Sequence, residues 1–405
     1  MRIRTLTYFC DPGFPLDEDR LRQAGDFLAQ ARAAYEAEGH EVQTTRLATV
    51  PFPLLLGEER LEQLPHFAEM LASVLPQAGI AYASLGPALP GVPRSYEMIP
   101  EAVTASENIF FSGIMAQTGV GIDLRAVRLC AKVIVDCAPL DPNGFANLRF
   151  AALANVPPGA PFFPAAYHAG GEPSFAIGTE AADLAVRAFE EAETVEAGCR
   201  TLTAEIERHA QALERIASTR LWHIPFDGID FSLAPSPDDA HSLGNAVEKM
   251  GVPRIGWHGS LAAAALLTGA IDQADFTHAG FSGFMQPVLE DSILARRAAE
   301  GTLTVKDALL YSAVCGTGLD TVPLPGDTTA AQLTPLLLDL SALALRLGKP
   351  LTARLMPIPG KSAGDPTNFD FAFFANSRVM RLDSESLRSP LTEDQVIPLR
   401  PRGAG

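Results

Sequence analysis

Short runs of β-branched and aromatic residues alternate along this chain with stretches whose apolar residues recur at a helical period. That alternation restricts the fold to the α/β class. Arg2–Phe9 reads as a strand closed by an Asp11-Pro12-Gly13 turn, and Asp17–Glu38 as a helix with Leu21, Ala24, Phe27, Leu28, Ala31 and Ala34 on one face. Glu41–Leu47 and Ile80–Leu85 read as strands on either side of a helix at Leu61–Val74. Tyr96–Ala105 is predicted as a short helix, Asn108–Ser112 as a strand, and Ile122–Cys137 as a helix passing into a strand at its end. Asn147–Ala154 reads as a buried strand or a helical turn, and Pro157–Pro173 as a long loop. Thr179–Thr219 has one long helical pattern, unbroken or broken near Gly198. Strands are expected at Ile229–Leu233, Leu319–Pro323, Leu351–Pro357 and Phe369–Met380. Helices are expected at His241–Met250, Leu261–Ala270, Leu289–Glu300, Val305–Val314 and Leu333–Leu347. No period repeats, and no linker divides the chain. The expectation is one α/β domain over residues 1–399, with a layer at 1–100 packed on a region at 100–380, and a disordered tail at 400–405.

Composition removes several function classes. Of 405 residues, 47% are apolar and 20% charged, enough for a large core. The net charge of −17 repels phosphate backbones and anionic lipid, so neither nucleic acid nor membrane is an expected partner. Five cysteines without a CxxC pair argue against a disulfide framework or zinc knuckle. The N-terminal stretch lacks the apolar core of a signal peptide. A reduced, cytoplasmic setting is expected, with a homo-oligomer as the default for an enzyme of this size.

Five polar, glycine-bearing segments flank apolar runs, as functional loops on a rigid scaffold do. In the first, Arg149 sits within an apolar run close to Asn155. An arginine there needs a partner, either a carboxylate substrate or a structural acid. In the second, Tyr167–Pro173 (YHAGGEP), His168 is a candidate general base and Glu172 a candidate metal ligand. In the third, Asp230–Pro237 (DFSLAPSP), strand alternation points Asp230 and Ser232 the same way. The fourth is Gly256–Ser260. Gly259 and Ser260 open a helix there, His258 stands beside it, and the free N–H groups of its first turn attract anions; Gly280–Gly283 and Glu290 are read as facing the same region. In the fifth, Cys315–Thr328, Cys315 follows a helix, so no positive helix end activates its thiol. Arg354 and Lys361 are candidate anion clamps, and Asp320 and Asp327 candidate oxygen ligands for Mg²⁺ or Ca²⁺. Each of these residues also has an ordinary structural reading as a cap, turn or buried pair. No GxxxxGKS/T, GxSxG or HExxH string occurs, and no GxGxxG opens a βαβ unit.

These same segments carry a family resemblance. YHAGGEP, DFSLAPSP, WHGS with the alanine-rich helix after it, GFSGFMQPVLED, CGTGLDTVPLPGDT and RLMPIPGKSAGD resemble, in order and spacing, a microbial domain-of-unknown-function family. The resemblance covers residues 100–380 and is looser before them. It implies an α/β barrel of the pyruvate formate-lyase-like type with a loop-built central cleft. It also raises an ACT-type regulatory protein as a partner. The fold's glycyl-radical members need a C-terminal radical glycine; here the nearest string, Arg378–Leu382, has none, so no glycyl radical is expected. The chain departs from the family at Phe110 and Phe111, where a cysteine is usual nearby, and at Trp257, where threonine is usual. The expectation is a non-radical enzyme, a lyase or isomerase, acting on a small anionic metabolite. Its alternative is a metabolite-binding or regulatory protein without turnover, with a glycyl-radical-type enzyme as the remote third.

Overall fold

The computed structural model describes residues 1–401, so positions 402–405 of the expected tail lie outside the described residues. Arg400, also placed in that tail, accepts a hydrogen bond through its carbonyl from Arg346 Nη1 at 2.7 Å.

Eleven strands form one mixed sheet: β1 (Arg2–Phe9), β2 (Val42–Ala48), β3 (Tyr82–Ala88), β4 (Ile109–Gln117), β5 (Gly121–Asp123), β6 (Phe150–Ala154), β7 (Ser174–Glu180), β8 (Phe226–Asp230), β9 (Gly318–Pro325), β10 (Leu351–Ile358) and β11 (Val396–Ile397). The strand order is β8-β7-β1-β2-β3-β4-β6-β10-β9, with β5 and β11 paired off the end of β4. Strands β1, β2, β3, β4 and β6 run parallel to one another. So do β7 with β8 and β9 with β10. Along the nine-strand order the direction reverses only at β1–β7 and β6–β10, and off it β5 pairs antiparallel with both β4 and β11. Strands β3, β4 and β6 are nearly continuous buried runs of mostly apolar residues. Helices Glu18–Glu36, Leu64–Val74, Leu124–Cys137 and Ala330–Leu347 share one core with Leu6, Leu47, Leu85 and Leu355 from the sheet. Ala330–Leu347 has the length and apolarity to cross a membrane. Here it buries Leu333, Leu337, Leu340 and Leu345 in that core.

The other face holds the long loop at residues 157–173. Thr7 Oγ1 donates to the Pro161 carbonyl at 2.9 Å, and Phe162 and Phe163 are buried.

The sheet does not close into the expected barrel, because β8 and β9, its two ends, do not pair with each other. Residues 278–288 run between them and make only isolated parallel bridges, Ile229 to His278, Leu233 to Phe284 and Pro287 to Asp320. The segment is too irregular for a regular strand. Ser282 has a positive φ, Pro287 has no N–H, and the Gly283 and Gly316 backbones approach so closely that a Cβ on either would lie within 3 Å of the other.

Three local readings need correction. Thr179–Thr219 is not helical from its start: its first residues end β7, and two helices follow, Ala182–Glu190 and Val195–Arg220. The break falls at 191–194. Gly198 lies inside the second helix, where its missing side chain admits the Phe189 ring. Ile122–Cys137 begins in a strand and ends in a helix, because Asp123 caps the helix by accepting from the Ala126 N–H. Phe369–Met380 is not a strand. Asn376 folds it back on itself, accepting from the Phe369 N–H and donating to the Phe369 carbonyl.

Candidate functional site

A cavity of about 690 Å³ lies on the inner side of the sheet, and arginines from three strands enter it: Arg4 on β1, Arg46 on β2 and Arg354 on β10. Two of them stand at irregularities in the ladders. The β1–β7 register slips between Ile3 and Thr5, and the β10–β9 register slips between Ala353 and Leu355. A bulge re-aims side chains: Arg4 is the extra residue on β1, and on β9 Asp320 and Thr321 stand opposite the single residue Arg354; Arg4, Asp320 and Arg354 line the cavity.

Buried guanidinium groups need counter-charges, and three of the arginines on this face have them. Arg2 and Arg4 both pair with Glu180, Arg4 at 2.7 Å. Arg4 also reaches Glu290 at 2.6 Å, and Glu290 holds Arg354 at 2.7 Å. Arg354 Nε donates to Asp320. The result is an ion-pair chain linking β7, β1, β9 and β10. Burial alone would raise the Glu290 carboxyl, but Arg354 and Arg4 outweigh it and hold it below the ordinary range. Asp320 goes the other way: burial, with Glu290 adding to it, pushes its carboxyl up against the pull of Arg354. The chain therefore contains one carboxyl held ionised and one disposed to take a proton.

Arg46 is outside this chain. Its Nε donates to Thr44 Oγ1 at 2.9 Å, and its guanidinium lies 5.1 Å from the Phe163 ring centroid and 5.8 Å from that of Tyr82. Among the described residues it has no carboxylate partner, and its two terminal nitrogens have no hydrogen-bond acceptor. Burial, then the neighbouring Arg4, push its pKa down to about 9. It therefore stays charged at neutral pH without a counter-ion. The cavity is large enough for a small metabolite, and this charge favours an anionic one.

The sequence-predicted residues do not converge on one cleft. Arg149, Asp320 and Arg354 line the arginine cavity. Arg149 Nη1 donates to the Val103 carbonyl at 2.8 Å and to that of Ser106, so backbone oxygens rather than a buried acid receive it. Arg354 is committed to Glu290 and Asp320 and is not a free anion clamp.

His168 and Glu172 line a second, more open cleft with Asp227 and His278. The His168 ring is buried, its Nε2 has no partner, and burial lowers its pKa.

The remaining candidates lie outside both cavities. Asp230 is wholly buried and accepts from the N–H groups of Phe281 and Ser282 and from Ser232 Oγ. Burial pushes it up to about 6, and its bonds fix the 278–288 segment beside β8. Ser260 turns its hydroxyl inward, donating to the Trp257 carbonyl and accepting from the Gly256 N–H, while His258 and Gly259 are exposed. Cys315 is buried, and burial raises its thiol pKa. Asn155 accepts from the Thr118 N–H. Lys361 is partly exposed and Asp327 is exposed. Glu172, Asp320 and Asp327 do not meet, and no group of three or more His, Cys, Asp or Glu able to hold a metal occurs among the described residues. A cation at Asp320 would have to displace the Arg354 guanidinium.

Arg4, Arg46 and Tyr82 were not singled out by the motif reading, which looked at glycine-rich loops. A signal existed. Arg2 and Arg4 alternate with Ile3 in a strand whose neighbours are apolar, so both must face the same interior side.

Residues 1–376 match the family described as "Uncharacterised ACR (DUF711)". Among similar proteins is the UPF0210 protein of Pyrobaculum arsenaticum, 33% identical over 368 residues that cover 85% of this chain and 79% of the relative. The UPF0210 protein of Acetivibrio thermocellus is 30% identical, covering 89% and 83% respectively. That of Listeria innocua is 28% identical over 399 residues, covering 93% and 87%. The match extends through the N-terminal strands that carry Arg4 and Arg46 as well as the later loops, and the chain belongs to the DUF711/UPF0210 family.

Proposed function

We propose that this chain is an enzyme that binds a small organic anion in the arginine cavity and acts on it by non-radical proton transfer, as a lyase or isomerase does. One observation carries the reading: Arg46 is partly buried and charged, and no carboxylate among the described residues pairs with it. Arg46 is the anchor for the anionic group, and aromatic walls exclude water from the rest of the ligand. Asp320 is the acid–base group, because burial disposes it to hold a proton while Arg354 keeps it oriented. We also read the sheet as a barrel of the pyruvate formate-lyase-like type. Its halves are five parallel strands each, the second completed by residues 278–288, with the cavity inside. Five free thiols fit a reducing, cytoplasmic compartment.

The test is calorimetric titration of wild type and Arg46→Gln with a panel of organic acids, followed by mass spectrometry of the products. At least one acid is expected to bind wild type and to bind the variant at least 10-fold more weakly. Asp320→Asn is expected to keep that affinity and lose turnover. If R46Q binds every acid as wild type does, the anchor assignment fails. One observation favours a second reading, binding without turnover. Glu180, Glu290 and Asp320 are all engaged by arginine. Binding with no product formed by wild type would select it.

A further inference from the structure

We infer that the ligand of this cavity carries two anionic groups, held by Arg46 and Arg149 and separated by an apolar body. The inference rests on the anion-binding reading above and adds the substrate class.

The argument is one of spacing. Arg46 lies on β2, and Arg149 immediately precedes β6. Between them stand β3 and β4. Neighbouring strands lie about 4.8 Å apart, so the two backbones are about 14 Å apart across the sheet. They are also staggered along it. Arg46 is level with Tyr82, whereas Phe110 is level with Ser84 and Phe111 with Phe150. Arg149 is therefore about two residues, or roughly 7 Å, further along the strands than Arg46. With the backbones this far apart, Arg46 held by Thr44 and Arg149 held by the Val103 and Ser106 carbonyls, each cation is read as taking its own anionic group.

The space between them is apolar. Tyr82 and Phe110 line it from β3 and β4 and pack edge-on at 5.5 Å, and Phe163 closes on Phe110 at 5.4 Å. Each end has free donors. Arg46 uses only Nε within the protein. Arg149 uses only Nη1, and it has no salt bridge among the described residues, although Glu107 and Asp141 also line this end. The Ser106 hydroxyl beside Arg149 is buried without a partner, which adds a second donor at that end.

The experiment is calorimetric titration with linear aliphatic dicarboxylates, from butanedioate to dodecanedioate, and with the monocarboxylates of matching chain length. The longer diacids are expected to bind wild type at least 10-fold more tightly than their monoacids, with butanedioate too short to gain. Arg149→Gln should remove that advantage and leave monoacid affinity within twofold, while Arg149→Lys should keep part of it. Arg46→Gln should weaken both series. Because Arg149 also holds two carbonyls, R149K guards against a folding defect in R149Q. Equal binding of diacids and monoacids by wild type, with both still dependent on Arg46, overturns the two-charge inference and leaves the anion reading standing. Equal weakening of both series by R149Q in a protein that R149K shows to be folded also overturns it. Failure of every acid to bind wild type overturns both.

Discussion

Asp230 and Asp320 stand on opposite sides of the same irregular segment, on β8 and β9; Asp230 is fully buried and Asp320 keeps a small exposed part. They differ in what receives their charge. Asp230 is held by neutral donors, two backbone N–H groups and a serine hydroxyl. Asp320 is held by Arg354, which is tied through Glu290 to Arg4. Asp230 lines neither cavity, whereas Asp320 faces the larger one. A carboxylate bonded to backbone amides pins one conformation. A carboxylate inside a charged chain that opens on a cavity can exchange protons with a ligand. The same residue type thus serves the fold in one place and faces the cavity in the other.

The comparison can be broken from either side. Arg354→Met would leave Glu290 and Asp320 without one of their buried partners. Its expected cost is about 3–5 kcal/mol at neutral pH. Stability should partly return on acidification, as the stranded carboxyls protonate; chemical denaturation at pH 7 and pH 4.5 measures both effects. A variant as stable as wild type at pH 7 would show that the ion-pair chain does not hold β9 and β10 to β1.

Asp230 has its own pH signature. Its folded value of about 6 lies above the usual carboxyl value of 3.8. The folded state therefore binds the proton more tightly, and this group's stabilising contribution is complete below about pH 4 and lost as pH rises through 6. The loss is roughly 3 kcal/mol. Asp230→Asn should be flat in that window and less stable by about 2 kcal/mol, because its amide meets two N–H donors with only one acceptor oxygen. Denaturation curves at closely spaced pH values distinguish the two proteins, and an unchanged slope in D230N would assign the titration to another group.

Arg46→Met should separate binding from stability. Removing a partly buried cation that has no ion-pair partner is expected to leave stability unchanged or to raise it by about 1 kcal/mol, while anion affinity falls. A clear destabilisation would reveal a counter-charge that the geometry does not show. The smallest effects belong to the helix start at His258–Ser260. Ser260→Ala should cost about 1 kcal/mol for its two hydrogen bonds. His258→Ala, an exposed change, should stay within about 0.5 kcal/mol. Neither should alter binding of any acid that depends on Arg46; if either does, the helix start belongs to the ligand site after all.

Some of this was legible in the chain itself. The strands β1, β2 and β10 and the helices Glu18–Glu36 and Ala330–Leu347 follow from apolar periodicity, which is a local property. The family was carried by the strings from YHAGGEP to RLMPIPGKSAGD. Strand β7 was missed because Thr179–Glu180 joins without a turn residue to a helix of like composition. Arg354 and Asp320 were singled out separately, but sequence could not show that they spend their charges on each other. His258, Gly259 and Ser260 looked like an anion site because a helix start is visible in sequence, whereas the direction in which it faces is not.

What the sequence determined alone is the α/β class, an acidic chain with a large core, and a set of polar residues embedded in apolar runs. Each depends on neighbours a few positions apart. Only the tertiary structure decided which charges cancel. Arg4 meets Glu290 across 286 positions and Arg354 meets Asp320 across 34, and such pairings depend on strand order and register. Arg46 stands out as a cavity arginine without a carboxylate partner only after the partners of Arg4 and Arg354 have been placed. A net charge is the sum of its residues, but a local imbalance of charge is a property of the fold.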